Sequence, residues 1–182
     1  MSQKQNFQLL AKYNQWINDK VFAASAKLDS DVLCEDDGAF FKSILGTLNH
    51  IPVADIFWLR RFADHPLKFE SLDYVRGITK PDELTDILFD SLEQLRQARS
   101  KMDAMIIAFL DEVTGDDLES VLSYTNVKGE QFKRKLSWLI IHLFNHQTHH
   151  RGQVTTLLFQ HGIDVGITDF PVILPAIDQE ND

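Results

Sequence analysis

From Leu136 to His161 apolar side chains fall on one helical stripe, and Gly162 then ends it. A helix of roughly seven turns, at 3.6 residues per turn, cannot leave such a stripe in water. The rest of the chain must supply its partners, and three further segments carry the same periodicity. In the first, Phe7, Leu10, Ile17, Val21, Ala24 and Leu28 alternate steps of three and four, with Asn14 inside the stripe. The second follows Gly38 and carries Phe41, Leu45, Leu48, Trp58 and Phe62. The third is expected to open at Thr79 and Pro81, a cap and a first-turn proline, and to run through Leu84, Leu88, Leu95, Met102 and Phe109. Four long amphipathic helices predict an all-α chain, a four-helix bundle forming one domain over residues 1–182.

Two connections are expected to be unlike the rest. Asp64 to Lys80, with His65, Pro66 and Gly77, reads as a long crossover loop. Ser120–Asn126 and Glu130–Lys135 flank Val127-Lys128-Gly129 and predict a short β-hairpin before the last helix. After Gly162 the tail, with Pro171 and Pro175, is not helical, but its apolar residues should pack on the bundle.

Composition removes several classes of function. The formal net charge is −9, which disfavours the phosphate contacts that nucleic-acid binding requires. Lys133, Arg134 and Lys135 are too few to reverse that and read as a solvated strand edge. No apolar run approaches the roughly 20 residues of a membrane span, and the first residues lead into an amphipathic segment without an apolar signal core. A single cysteine, Cys34, excludes an internal disulfide. The expectation is a cytoplasmic protein without a membrane or nucleic-acid partner. Trp16, Trp58 and Trp138 are more than one bundle readily covers, which points to a homodimer.

The chemistry lies in the histidines. Of seven, four fall within nine positions: His142, His146, His149 and His150. Residues four apart share a helix face, so both His142/His146 and His146/His150 could share an ion. The second pair lies on the face of Leu139, Leu143, Gln153, Val154 and Leu157 and should point inward, whereas His142 and His149 lie on a more solvated face. Two imidazoles hold a metal poorly, so a third ligand is expected from another helix. His50 is the candidate, on a face with Gly46, Thr47 and Ala54 that leaves room beside it; the competing reading is a buried histidine bonded to a polar neighbour. His65 and His161 sit at segment ends and receive no role. Three neutral imidazoles and no acidic cluster suit one divalent ion with an open position, Zn or Ni before Fe or Mn. A zinc protease would need a glutamate where Gln147 stands, so that mechanism is not expected.

These residues resemble the DinB family of bacterial proteins, the DinB/YfiT-like metalloenzymes. The resemblance covers nearly the whole chain. It rests on Tyr13-Asn14-Gln15-Trp16, on Leu48-Asn49-His50-Ile51 with Trp58-Leu59, on Gly166-Ile167-Thr168-Asp169-Phe170, and above all on Asn145-His146-Gln147-Thr148-His149-His150-Arg151-Gly152-Gln153. It implies a four-helix bundle, often dimeric, with a metal held by three histidines that match His50, His146 and His150. One departure is Pro52, which removes a backbone donor two residues after His50 and should kink that helix. Characterised branches of the family use low-molecular-weight thiols, whose thiolate a metal stabilises.

The expectation is therefore a metal-dependent enzyme of the thiol-transferase or hydrolase type. Gln153 would support a ligand or contact the substrate, and Asn14 is a further candidate contact; each has the alternative of a satisfied buried amide. Arg151 leaves the ligand face and is expected in an ion pair or in helix packing. The competing function is a non-enzymatic, metal-binding stress-response protein in which the ion stabilises the bundle or a dimer.

Overall fold

The structure is a computed structural model that describes residues 2–126, 128–174 and 176. In chain order its elements are α1 (Gln3–Ser25), α2 (Ser30–Cys34), α3 (Ile44–Ala63), a 3-10 turn at Glu70–Leu72, α4 (Asp73–Arg76), α5 (Leu92–Glu112), α6 (Gly115–Glu119), β1 (Val121–Thr125), β2 (Gln131–Lys135), α7 (Leu136–Gln160) and a 3-10 turn at Phe170–Ile173. The fold is thus mostly helical, with one antiparallel hairpin directly before the last helix. α1 packs on α5 and α7, and α3 packs on α7 and α5. No described helix is long and apolar enough to cross a membrane.

The helix ends follow from local chemistry. Ser2 caps α1 through a capping box with Gln5, and Ser43 caps α3 by accepting the Gly46 N–H. Gly162, at φ +76°, lets α7 end in a Schellman turn: Ile163 N–H bonds to Leu158 O at 2.9 Å, and Gly162 N–H to Phe159 O at 3.0 Å. β1 and β2 pair in the register Val121↔Lys135 to Thr125↔Gln131, which places the basic cluster on a strand as expected. Val127, at the hairpin tip, and Pro175 lie outside the described residues. The tail packs back: the Tyr13 hydroxyl donates to Thr168 O at 2.6 Å, and Tyr13 meets Phe170 edge-on.

The third helix corrects its sequence reading. It starts at Leu92 under a Ser91 cap, and residues 79–90 contain no helix, only a turn closed by the Asp86 N–H on Glu83 O. Asp86 Oδ2 accepts the N–H groups of Asp82 and Glu83, and Asn49 on α3 bonds to Leu88 and Phe89. Side-chain oxygens thus take the backbone donors that a helix would have used. Ser91 followed three residues later by Gln94 was the true start signal. Phe41 likewise belongs to the turn before α3, not to the helix. The Asp64–Lys80 connection contains two short helical turns.

Two apolar clusters divide the interior along the helix axes. One, toward the hairpin, contains Phe62, Ile106, Phe109, Leu136 and Leu143; the other contains Ile17, Val21, Ile44, Leu95, Val154 and Leu158. On α1, α3, α5 and α7 a middle layer of buried polar residues lies between them: Asn14, Asn18, His50, Asp55, Arg99, Asp103, Gln147, His150 and Arg151.

Candidate metal centre

α3 and α7 run against each other, and the middle layer is where they carry histidine. His146 and His150 are one turn apart on α7 and His50 faces them from α3. His146 Nε2 lies 3.2 Å from His50 Nε2 and 3.1 Å from His150 Nε2. The three residues offer ligand atoms all within 4.8 Å of one another. Nitrogens about 2.05 Å from a shared ion sit ~3.3 Å apart in tetrahedral and ~2.9 Å apart in octahedral geometry. The donor set therefore fits a divalent ion. α3 continues through Pro52, and the proline does not carry His50 away from the other two.

The outer ring nitrogens decide which lone pairs face inward. His50 Nδ1–H donates to Leu84 O at 2.8 Å, and His150 Nδ1–H donates to Gln153 Oε1 at 2.7 Å. Each ring is thereby held as the neutral tautomer with its Nε2 lone pair turned to the cluster. His146 Nδ1 is buried and has no partner among the described residues. A single Nε2–H on His146 cannot serve two acceptors well, so three imidazoles alone leave the cluster short of positive charge. Burial pushes His146 down to about 3, helped by repulsion from His150 and His50. Burial also pushes His150 down to about 4 against the Gln153 hydrogen bond, and it lowers His50 against the bond to Leu84. Neutral imidazole is the form that ligates.

The remaining histidines behave differently. His142 and His149 are exposed, as their helix face suggested, with rings 6.0 Å from His146 and 4.8 Å from His150. His65 is a satisfied core histidine: Nδ1 accepts the Leu67 N–H at 3.2 Å, and Nε2 lies 3.1 Å from Ser120 Oγ. His161 pairs with Asp37 at 2.7 Å.

One wall of the site comes from the turn before α3. Phe41 stacks on His50 with ring centroids 4.0 Å apart and meets His150 edge-on at 5.6 Å. Gly46 permits this. A Cβ there would lie 2.2 Å from Phe41 O, so only glycine lets the turn approach the first turn of α3 so closely.

Behind the histidines is a network that sequence reasoning did not assemble. Arg99 pairs with Asp55 and lies 3.0 Å from Asp103. Gln147 donates to both Asp55 oxygens at 3.0 Å, and Asn14 and Asn18 donate to Asp103 at 3.0 Å. Arg151 donates to Asn14, Asn18 and Gln147. Burial pushes both aspartates up while Arg99 pulls them back, and it pushes Arg151 down to about 10, still cationic at neutral pH. Asn14 is thus a satisfied buried amide, and Arg151 packs helices as its face suggested. The sequence signals were a lone Asp55 in an apolar run and Arg99/Asp103 spaced four apart.

With this geometry in hand, similarity to known proteins is informative. The DinB family model matches residues 1–180. The chain belongs to the DinB family. It is 26% identical over 165 residues to protein DinB of Bacillus subtilis strain 168, covering 91% of each chain. A DinB-like protein from Bacillus cereus, solved by crystallography, shares the fold at a TM-score of 0.58 and 24% identity, over 90% of this chain and 93% of that one. Family membership and the three-histidine group together are compatible with metal binding.

Proposed function

We propose that this DinB-family chain holds one divalent ion, zinc or nickel, on His50, His146 and His150 with a coordination position left open, and that it is a metal-dependent enzyme of the thiol-transferase or hydrolase type. The observation that carries this reading is the convergence of three Nε2 atoms, two of them on rings whose Nδ1–H is tied to a fixed oxygen. Leu84 O and Gln153 orient the ligand rings, and Phe41 covers one face of His50. A divalent ion at this position stabilises the conjugate base of a thiol or of water. No side chain of the cluster is placed as a general base, which favours a thiol nucleophile supplied by a small cofactor. We further propose that the chain acts as one bundle domain in the cytoplasm and forms a homodimer; Trp138, 55% exposed, is among the large apolar residues that such a partner would cover.

Metal analysis of the wild-type chain beside His146→Ala tests the site. Near-stoichiometric metal in the first and little in the second is expected; equal, substoichiometric metal in both would sink the proposal. A panel of thiols with electrophiles then separates transferase from hydrolase. The second reading, a metal-binding protein without catalysis, is favoured by the absence of a carboxylate in the cluster. Stoichiometric metal with no thiol-linked or hydrolytic turnover would establish it.

A further inference from the structure

A cavity of about 380 Å³ lies against the histidine cluster, between the turn at residues 39–42, α3 and α7. Its walls touch the cluster at three points. Phe41 stacks on His50, Gln153 accepts from His150, and the His149 ring is 4.8 Å from that of His150. The rest of the wall is largely apolar, with Phe40 and Leu157, and no Lys, Arg, Asp or Glu lines it. Its volume is within the range of small-molecule sites. In the metal-free chain a charged group entering it would shed water without meeting a fixed counter-charge, whereas an apolar one gains by burial.

Gly152, an exposed residue, lies at the rim of the same cavity. It sits inside α7 and lines the cavity, yet a Cβ there would meet nothing within 4 Å. Glycine inside a helix is less stable than alanine, and no close packing demands it here. What the missing side chain leaves is open space at the mouth of the cavity, which His149 also lines.

Resting on the metal reading above, we propose that this cavity is a subsite for an uncharged, mainly apolar group of a small molecule, an aryl or short alkyl group, bound next to the histidine cluster. Phe40, Phe41 and Leu157 hold the group. Gln153, whose Oε1 is committed to His150, has amide N–H groups for a neutral acceptor on it.

The test uses the full chain, metal-free and cobalt-loaded, with benzyl alcohol and its 4-carboxylate analogue as probes. Methyl resonances of Leu157 and Thr156 report binding. Benzyl alcohol should shift them in both forms, and in the metal-free form the carboxylate should bind at least about tenfold more weakly. Gly152→Leu should fill the cavity and weaken benzyl alcohol binding by at least about tenfold, with cobalt binding and helix content unchanged. Gly152→Ala, a milder filling of the same space, should keep most of the binding. Equal affinity for the two probes in the metal-free form, no shift with benzyl alcohol, or wild-type binding by Gly152→Leu would overturn the proposal. If cobalt does not bind but benzyl alcohol binds wild type and not Gly152→Leu, the metal reading fails and the cavity assignment stands.

Discussion

The middle layer of the helices has two halves that solve the problem of burying polarity in opposite ways. Around Asp55, two carboxylates meet two guanidiniums and three amides, and the formal charges of Asp55, Asp103, Arg99 and Arg151 cancel. Around His146, three nitrogens converge with no opposite charge. Both halves bridge α3 to α7, one through Asp55 and Gln147 and the other through His50 and His146. The difference separates what each half can do. A network whose charges answer one another fixes helix register, although Arg99 Nε and Nη2 have no hydrogen-bond partner among the described residues. A cluster of neutral donors, two of them held with the Nε2 lone pair inward, would be completed by a cation.

Breaking the closed half should cost the most stability. Asp55→Ala leaves Arg99 buried with one of its two partners gone, and strips Gln147 of its acceptor. Loss of one member of a buried ion pair costs about 3–5 kcal/mol, which urea unfolding of the metal-free protein will read. A loss below about 1 kcal/mol, the level of a surface pair, would mean that water reaches this layer. Breaking the open half should do the reverse. His146→Ala leaves metal-free stability close to wild type but lowers metal affinity by more than the roughly 100-fold that outer partners can cost. If it unfolds the metal-free chain instead, the cluster is structural and the contrast between the halves disappears.

Acid sharpens the same contrast. In the unfolded chain the imidazoles titrate near 6.5, whereas in the fold burial holds His146 to about 3 and His150 to about 4. Between those values and 6.5 the unfolded state binds protons that the folded state refuses, so stability is full above 6.5 and falls as pH drops toward 4. Unfolding midpoints of metal-free protein at pH 7 and pH 5 should show this, with a smaller difference in the His146→Ala/His150→Ala double variant. An undiminished difference in that variant would put the proton uptake elsewhere. Bound metal steepens the loss, because ligation also requires neutral rings.

Much of this was legible in the sequence, and what was not has a common cause. The inward face of His146 and His150 follows from spacing, because a helix converts sequence distance into angle. His50, on another helix, is a candidate from its small-residue face, but its place beside them rests mainly on resemblance. The network was harder still, since its seven members come from four helices and each looks like an isolated polar residue in its own stripe. Residues 79–90 misled for a related reason. Leu84 and Leu88 have helical spacing, but Asn49, some 40 positions away, takes the backbone groups of Leu88 and Phe89 and leaves Leu84 O beside His50. A long-range amide thus determined both the element and the support of the His50 ring. Phe41 depends on Gly46, whose packing role no periodicity reveals.

That dependence gives a smaller effect. Gly46→Ala places a methyl 2.2 Å from Phe41 O, a backbone atom that must move. Overpacking of this kind costs about 1–3 kcal/mol, and the displaced turn should take Phe41 off His50. Measured metal affinity should fall less than in His146→Ala, because no ligand is lost; a stability unchanged from wild type would show that the turn yields freely.

The smallest expected change is Gln153→Ala, and it separates orientation from ligation. Gln153 is only partly buried and holds His150 through one 2.7 Å bond. Its removal should move metal-free stability by no more than about 0.5 kcal/mol, the usual range for sites without a buried network. The His150 ring would then be free to rotate or change tautomer, and metal affinity should drop by roughly 10–100-fold, as for other outer partners of a ligand. Gln153→Glu should restore or exceed wild-type affinity, since a carboxylate accepts the same Nδ1–H more strongly and raises the basicity of Nε2. Asp55 is the instructive control, because a network residue should lower affinity only in proportion to lost folding. If Gln153→Ala binds metal as wild type does, the α7 helix alone orients His150. Rigid packing would then account for the open half of the layer as it does for the closed one.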